Sequence, residues 1–204
     1  AIFHLFTHAF FKALLFLGAG SVIHSFNNEQ NINYMGGVWK KIPYTYILMI
    51  IGTLALTGFP FLSGFYSKDA IIEFAYVKGN TLSLIASYSC IFVALLTSIY
   101  SWRLIFKSFH GEFNNKKISI NNIHESPMVM LIPLFFLAFG AIFAGILFKE
   151  IFIGHDSLYK FWGESVKFLI PLNTDHPPIW FIFLTPTLVL LSIPLSFFIF
   201  VKNK

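Results

Sequence analysis

Uncharged apolar runs alternate along this chain with short polar clusters. Positions 81–102, 126–148 and 177–201 carry no Asp, Glu, Lys or Arg, and each is near the ~20 residues a helix needs to cross about 30 Å of hydrocarbon. A further apolar stretch, 1–24, ends at the polar run Ser25-Phe26-Asn27-Asn28-Glu29-Gln30-Asn31. The pattern predicts five membrane elements, at 1–24, 43–77, 81–106, 127–148 and 178–201, and an extramembrane loop at 149–177. The ten-residue alternation of an outer-membrane barrel strand is absent, so the elements are expected to be helical. The predicted fold class is all-α: a single polytopic transmembrane helix bundle over 1–204.

The segment 43–77 needs separate treatment. As one straight helix it would run about 50 Å, beyond the hydrocarbon core, yet it is too short for two full spans. Its middle reads Thr57-Gly58-Phe59-Pro60-Phe61-Leu62-Ser63-Gly64-Phe65-Tyr66-Ser67-Lys68-Asp69. Pro60 has no N–H to donate and pushes Phe59 out of helical geometry, while Gly58 and Gly64 lower the cost of irregular backbone. A discontinuous helix is expected, with its break between about Gly58 and Ser67. Breaks at membrane depth persist where protein or a watery cavity satisfies the freed backbone groups, and they commonly mark ion sites.

Composition agrees with a lipid solvent: 56% of residues are hydrophobic and 11% charged, far from the soluble balance. The net charge of +5 is spread thinly between apolar runs, which points to membrane topology and to the lipid bilayer as partner, with no nucleic acid. The lone Cys90 allows neither an internal disulfide nor a CxxC motif. The chain opens inside an apolar stretch without a signal-like n-region and reads as an internal piece of a longer protein.

Lysine and arginine set the expected sidedness. Lys40, Lys41, Arg103, Lys107, Lys116, Lys117, Lys202 and Lys204 fall on one side, and Lys78, Lys149, Lys160 and Lys167 on the other, eight against four. The positive-inside rule then places 25–42, 107–126 and the C-terminus in the cytoplasm, with a bacterial inner membrane as the expected location. Within 149–177, the run 161–170 mixes aromatic and charged residues and suits a position along the membrane surface.

Candidate chemistry begins in the first element, where His4, His8 and Lys12 recur at a spacing of four. That spacing lays them in one slanted row about 12 Å long on a helix. Ionisable groups inside a span cost about 3 kcal/mol each and usually face a bundle interior or a watery pathway. Histidine exchanges protons near neutral pH, and apolar surroundings make a lysine able to release one. The row suits a proton relay; the bland alternative is two hydrogen-bonded histidines and a snorkelling lysine. Lys68, just after the expected break and beside Asp69, is the second candidate. Lys68, Asp69 and Glu73 equally suit the wet start of a helix. His24 at the end of the first element suits the helix dipole. His110, His124, His155 and His176 are expected in loops without a role.

Other motifs fail. No Glu follows His4, so the zinc-protease HExxH pattern is missing. Gly18-Ala19-Gly20 lacks the third glycine and the strand-to-helix context of a dinucleotide fingerprint. A haem-binding electron carrier using His4 or His8 would need a facing histidine inside another span.

The strings His4-Leu5-Phe6-Thr7-His8-Ala9-Phe10-Phe11-Lys12-Ala13-Leu14-Leu15-Phe16-Leu17 and Gly58-Phe59-Pro60 through Gly64-Phe65-Tyr66-Ser67-Lys68-Asp69 resemble the antiporter-like membrane subunits of respiratory complex I, most of all its L-type subunit. Subunits of Mrp-type sodium/proton antiporters share much of the pattern. The resemblance implies that Lys12 is the central lysine of the second proton half-channel, bridged by His8 and His4. It implies that Lys68 is the terminal lysine on a broken helix, with Asp69 in support. By the same resemblance the chain is a non-redox part of a proton-translocating NADH:quinone oxidoreductase, not catalytic alone. Its partners are other membrane-arm subunits. It binds no cofactor itself, since NADH, flavin, iron–sulfur clusters and quinone belong to other subunits. The first half-channel and the long lateral helix of the family have no counterpart here. A subunit of a multisubunit sodium/proton antiporter is the alternative.

Overall fold

A computed structural model describes residues 1–115, 118–154, 161–165 and 177–202. Lys116, Lys117, Lys160, Lys167, Lys204, His155, His176 and the second half, 166–170, of the expected surface run 161–170 lie outside the described residues.

Six helices form. Helix α1, Ile2–Ser25, ends where Asn27 enters left-handed backbone at φ 51°. There Asn28 N–H donates to Ile23 O at 2.9 Å and Asn27 N–H to His24 O at 3.1 Å, the paired bonds of a Schellman stop, for which Asn is among the best non-glycine residues. Helix α2, Pro43–Thr57, starts on a proline, whose missing N–H is harmless there. It ends in the same way: Gly58 sits at φ 82°, Phe59 N–H reaches Leu54 O at 2.9 Å and Gly58 N–H reaches Ala55 O at 3.3 Å. Phe61 follows at φ 71°, a conformation costly for a side-chain-bearing residue. The chain re-enters helical geometry through a π turn, Phe65–Asp69, and continues as α3, Ala70–Val77. The expected break is present, centred on Gly58 to Gly64.

Helix α4, Thr81–Ile105, is capped by the Asn80 side chain, which accepts from Ser83 N–H at 2.7 Å, and it runs on through a π turn, Phe106–His110. Helix α5 spans Met128–Ile153. Helix α6, Ile179–Phe197, closes with a third π turn, Phe198–Lys202. Two boundaries differ from the sequence expectation. Helix α5 continues past 148 through Lys149 and Glu150, and α4 carries His110 inside its last turn instead of leaving it in a loop. Loss of apolarity marks where hydrocarbon ends, whereas a helix ends where its backbone is capped or broken, and Lys and Glu are good helix formers.

Helices α1, α4 with its π turn, α5, and α6 with its π turn are each long and apolar enough to cross a membrane, and the broken α2–α3 segment supplies the fifth element. Helix α1 packs on α2 and α5, α4 packs on α6 and α3, and α2 touches α4 to join the two groups. One core gathers Phe11, Leu14, Leu48, Leu131, Leu134 and Ala138 between α1, α2 and α5. Small residues let α5 approach the break: a Cβ added at Gly145 would come within 2.5 Å of Ser63 Cα. Close contact through glycine and alanine is the usual device for helices that gain nothing from hiding apolar surface from lipid. Exposed Phe16 and Phe136, at 74% and 75%, face outward as lipid-facing residues do.

Candidate functional site

Helix α1 presents His4, Thr7, His8 and Phe11 toward the break. The His4 and His8 rings lie 5.5 Å apart, and the fully buried Phe11 stands edge-on to His8 at 5.2 Å. His4 Nδ1 is 3.0 Å from Ser67 Oγ, and Thr7 Oγ1 donates to the same hydroxyl at 2.7 Å. Ser67 in turn is 3.2 Å from Ser63 O. Ser67 donates to that carbonyl, and Thr7 Oγ1 also lies 3.2 Å from His4 O, so His4, Thr7 and Ser67 form one small polar cluster. The spacing of four in α1 thus meets the π turn at the residue just before Lys68.

The π turn decides where Lys68 points. Its ammonium donates to Thr57 O, the last residue of α2, and lies over Gly58, where an added Cβ would stand 2.6 Å from Nζ. The carbonyl freed by the helix stop is therefore satisfied by a cation, as the negative end of a helix favours. Asp69 is 6% exposed, lies within electrostatic reach of Lys68 and Glu73, and has no hydrogen-bond partner for either carboxylate oxygen among the described residues. Buried acceptors left open in this way are positions for water or a proton.

Lys12 occupies a different setting. It lines a half-open cavity of about 190 Å³ with Leu15, Phe16, Thr53, Leu56 and Tyr100, its ammonium 5.9 Å from the Phe16 ring centre. A second cleft shares Ala19, Met49 and Leu104 with it and reaches Gln30 and Ser108. Among the described residues His8 and Lys12 make no hydrogen bond to each other. His4, His8 and Lys12 follow one another at one-turn intervals along α1, and His4 meets the residue before Lys68, so the four form a spatial series.

His24 is exposed at the end of α1. His110 bonds Tyr46 OH at 2.8 Å and stacks on Trp39, far from the series. Among the described residues no group of three His, Cys, Asp or Glu side chains is arranged to hold a metal ion. Residue order alone gives neither Thr7 nor Ser67 a role. Thr7 lies three positions after His4 on the same face, and Ser67 adjoins Lys68, so a search for hydroxyls beside the ionisable row would have marked both.

Comparison with known proteins bears on the whole chain. A family model described as NADH:quinone oxidoreductase/Mrp antiporter, transmembrane, matches residues 1–93, and one described as the NADH dehydrogenase subunit 5 C-terminus matches residues 100–168. NADH-ubiquinone oxidoreductase chain 5 of Marchantia polymorpha is 46% identical over 97% of this chain and 29% of its own length. The corresponding figures are 47%, 85% and 26% for chain 5 of Chondrus crispus. For NADH-quinone oxidoreductase subunit L of Rhodobacter capsulatus they are 50%, 80% and 24%. The chain thus spans less than a third of the length of these relatives. Helical architecture, broken helix, motif strings and near half identity across most of the sequence agree, and the chain belongs to the antiporter-like membrane subunits of NADH:quinone oxidoreductase.

Proposed function

We propose that this chain supplies the second half-channel of a proton-translocating membrane arm in NADH:quinone oxidoreductase, moving protons along Lys12, His8, His4 and Lys68. The contact of His4 with Ser67, the neighbour of Lys68, is the observation that carries the reading. Without it the row on α1 and the lysine on the broken helix would be two separate polar features. Lys12, in its cavity between α1, α2 and α4, holds a proton that His8 and then His4 pass along the helix face. Water at the open oxygens of Asp69 bridges the remaining step to Lys68. The flexible stem and compact ammonium of lysine suit a group that must gain and lose a proton, which guanidinium does not do.

The chain takes no part in redox chemistry on this reading. Electron transfer from NADH, through flavin and iron–sulfur clusters to quinone, belongs to other subunits of the complex, with which this chain assembles in the membrane. The loop 29–42 packs against the π turn after α4, where Lys107 donates to Asn33 at 3.1 Å and Trp39 N–H to Phe109 O at 3.4 Å, and that face is the cytoplasmic or matrix side by its lysine excess.

The test is pumping by the native complex carrying single substitutions. Lys12→Ala and Lys12→Arg should both lose most proton translocation with normal assembly, and His8→Ala should lose part of it. Normal pumping by the Arg variant would end the carrier reading, since a purely structural cation would be replaced well by arginine. The alternative, a subunit of a sodium/proton antiporter, predicts transport that continues without NADH oxidation.

A further inference from the structure

Helix α2 lacks a cap of its own. Its N-cap is Ile42, which offers no side-chain acceptor, and Pro43 brings no N–H. The first donors left open are those of Tyr44 and Thr45. Both are taken by Glu125, eighty residues away in the segment leading to α5: Tyr44 N–H donates to Oε2 at 2.9 Å, Thr45 N–H to Oε2 at 3.3 Å and Thr45 Oγ1 to Oε1 at 2.5 Å.

Two buried serines stand behind the carboxylate. Ser21 Oγ is 2.9 Å from Thr45 Oγ1 and 2.6 Å from Ser126 Oγ. Ser21 donates to Ser126, Ser126 donates to Ser21 O at 3.2 Å, and Thr45 gives its proton to Glu125, so the carboxylate receives the Tyr44 N–H, the Thr45 N–H and the Thr45 hydroxyl. The arrangement is built for a negative charge.

The opposite end of α2 is where Lys68 donates to Thr57 O. One fifteen-residue helix, about 22 Å long, therefore carries an anion from another element at its positive end and a cation from another element at its negative end. Both charges complement the helix dipole. Because α2 stops at Gly58 and is followed by irregular backbone, no continuing helix holds its carbonyl end in register.

We propose that Glu125 is a positioning residue for Lys68: its charge anchors α2 axially and electrostatically, and so sets where the Thr57 carbonyl meets the Lys68 ammonium. This rests on the reading of Lys68 as a proton-carrying group. Tyr46, in the same first turn, is held separately by His110 at 2.8 Å, which provides a control that loosens the turn without removing charge.

The experiment compares Glu125→Ala, Glu125→Gln, Glu125→Asp and Tyr46→Phe in the native complex. It reads the amount of assembled complex, electron transfer and protons translocated per electron. Glu125→Gln keeps the shape and an acceptor oxygen but no charge, whereas Glu125→Asp keeps the charge on a shorter stem. The proposal expects Ala and Gln to lower protons per electron by roughly twofold or more, within the roughly two- to thirtyfold range of an indirect coupling, at unchanged electron transfer. Asp should restore most of the loss, and Tyr46→Phe should pump normally. In a Lys68→Ala background, Glu125→Gln should add no further loss.

Rescue by Gln, or additive losses with Lys68→Ala, would overturn the proposal and leave Glu125 a hydrogen-bonding clasp. Should the variants assemble too poorly to read, Thr45→Val, which removes one donor to the anion and leaves its charge, must give a smaller loss of pumping per assembled complex than Glu125→Gln. An equal loss would also overturn it. Normal pumping by Lys68→Ala itself would instead sink the reading of Lys68, so the two failures are distinct.

Discussion

His4 and Ser67 face each other across the α1–break interface at 3.0 Å, and this one contact places a histidine of the α1 row beside the turn that carries Lys68. Thr7 doubles the link by donating to the same hydroxyl. The Ser67 hydroxyl therefore serves two partners on α1, and both lose it together.

Ser67→Ala is expected to lower proton translocation several-fold, because His4 Nδ1 would be left without its partner in a half-buried site, while the Thr7 hydroxyl keeps His4 O at 3.2 Å. The loss of stability should be about 1–3 kcal/mol, the cost of stranding buried polar groups. Ser67→Thr, which keeps the hydroxyl, should retain more pumping than Ser67→Ala. Pumping measured per assembled complex checks this, and equal behaviour of the two variants would remove the hydroxyl from the pathway.

Gly58→Ala should be far more harmful than alanine for glycine usually is. The residue is held at φ 82°, where a side chain costs about 1 kcal/mol or more, and its new Cβ would stand 2.6 Å from the Lys68 ammonium, pushing it off its carbonyl. Reduced assembly together with reduced translocation is expected. Gly79→Ala offers the comparison, since Gly79 shares the backbone sign at φ 70° but its Cβ would meet nothing nearer than Val77 O at 3.6 Å. It should affect assembly slightly and pumping not at all.

Gly145→Leu should displace the break from α5, because even a Cβ there meets Ser63 Cα at 2.5 Å and Tyr66 at 2.9 Å. Overpacking of this kind typically costs 1–3 kcal/mol or more. The level of assembled complex in native gels is the measurement, with Gly145→Ala expected between wild type and Leu. Full assembly of the Leu variant would show that α5 can move without consequence.

Sidedness can be read with cysteines. In a Cys90→Ser background, Asn122→Cys, in a short exposed 3-10 turn, should react with an impermeant thiol reagent only from the cytoplasmic or matrix face. Lys78→Cys, in the tight connection between α3 and α4, should react only from the other. The opposite labelling would reverse the orientation drawn from the lysine count.

Much of this protein follows from residue order alone. A membrane solvent and three of the five elements are set by uncharged runs long enough for hydrocarbon, and the other two by apolar stretches that carry few charges. The break is set by Gly58 and Pro60, whose backbone limits are local, and the row of His4, His8 and Lys12 by helical spacing, which needs no neighbour. The tertiary structure decided what those features touch. That Ser67 lies against His4, that a π turn aims Lys68 back at Thr57, and that Glu125 caps a helix starting eighty residues earlier all depend on which helices pack together. In lipid that choice is made by close backbone approach and the pairing of polar groups, not by a simple apolar face. Helices that are apolar all round announce their solvent in sequence, but not their neighbours.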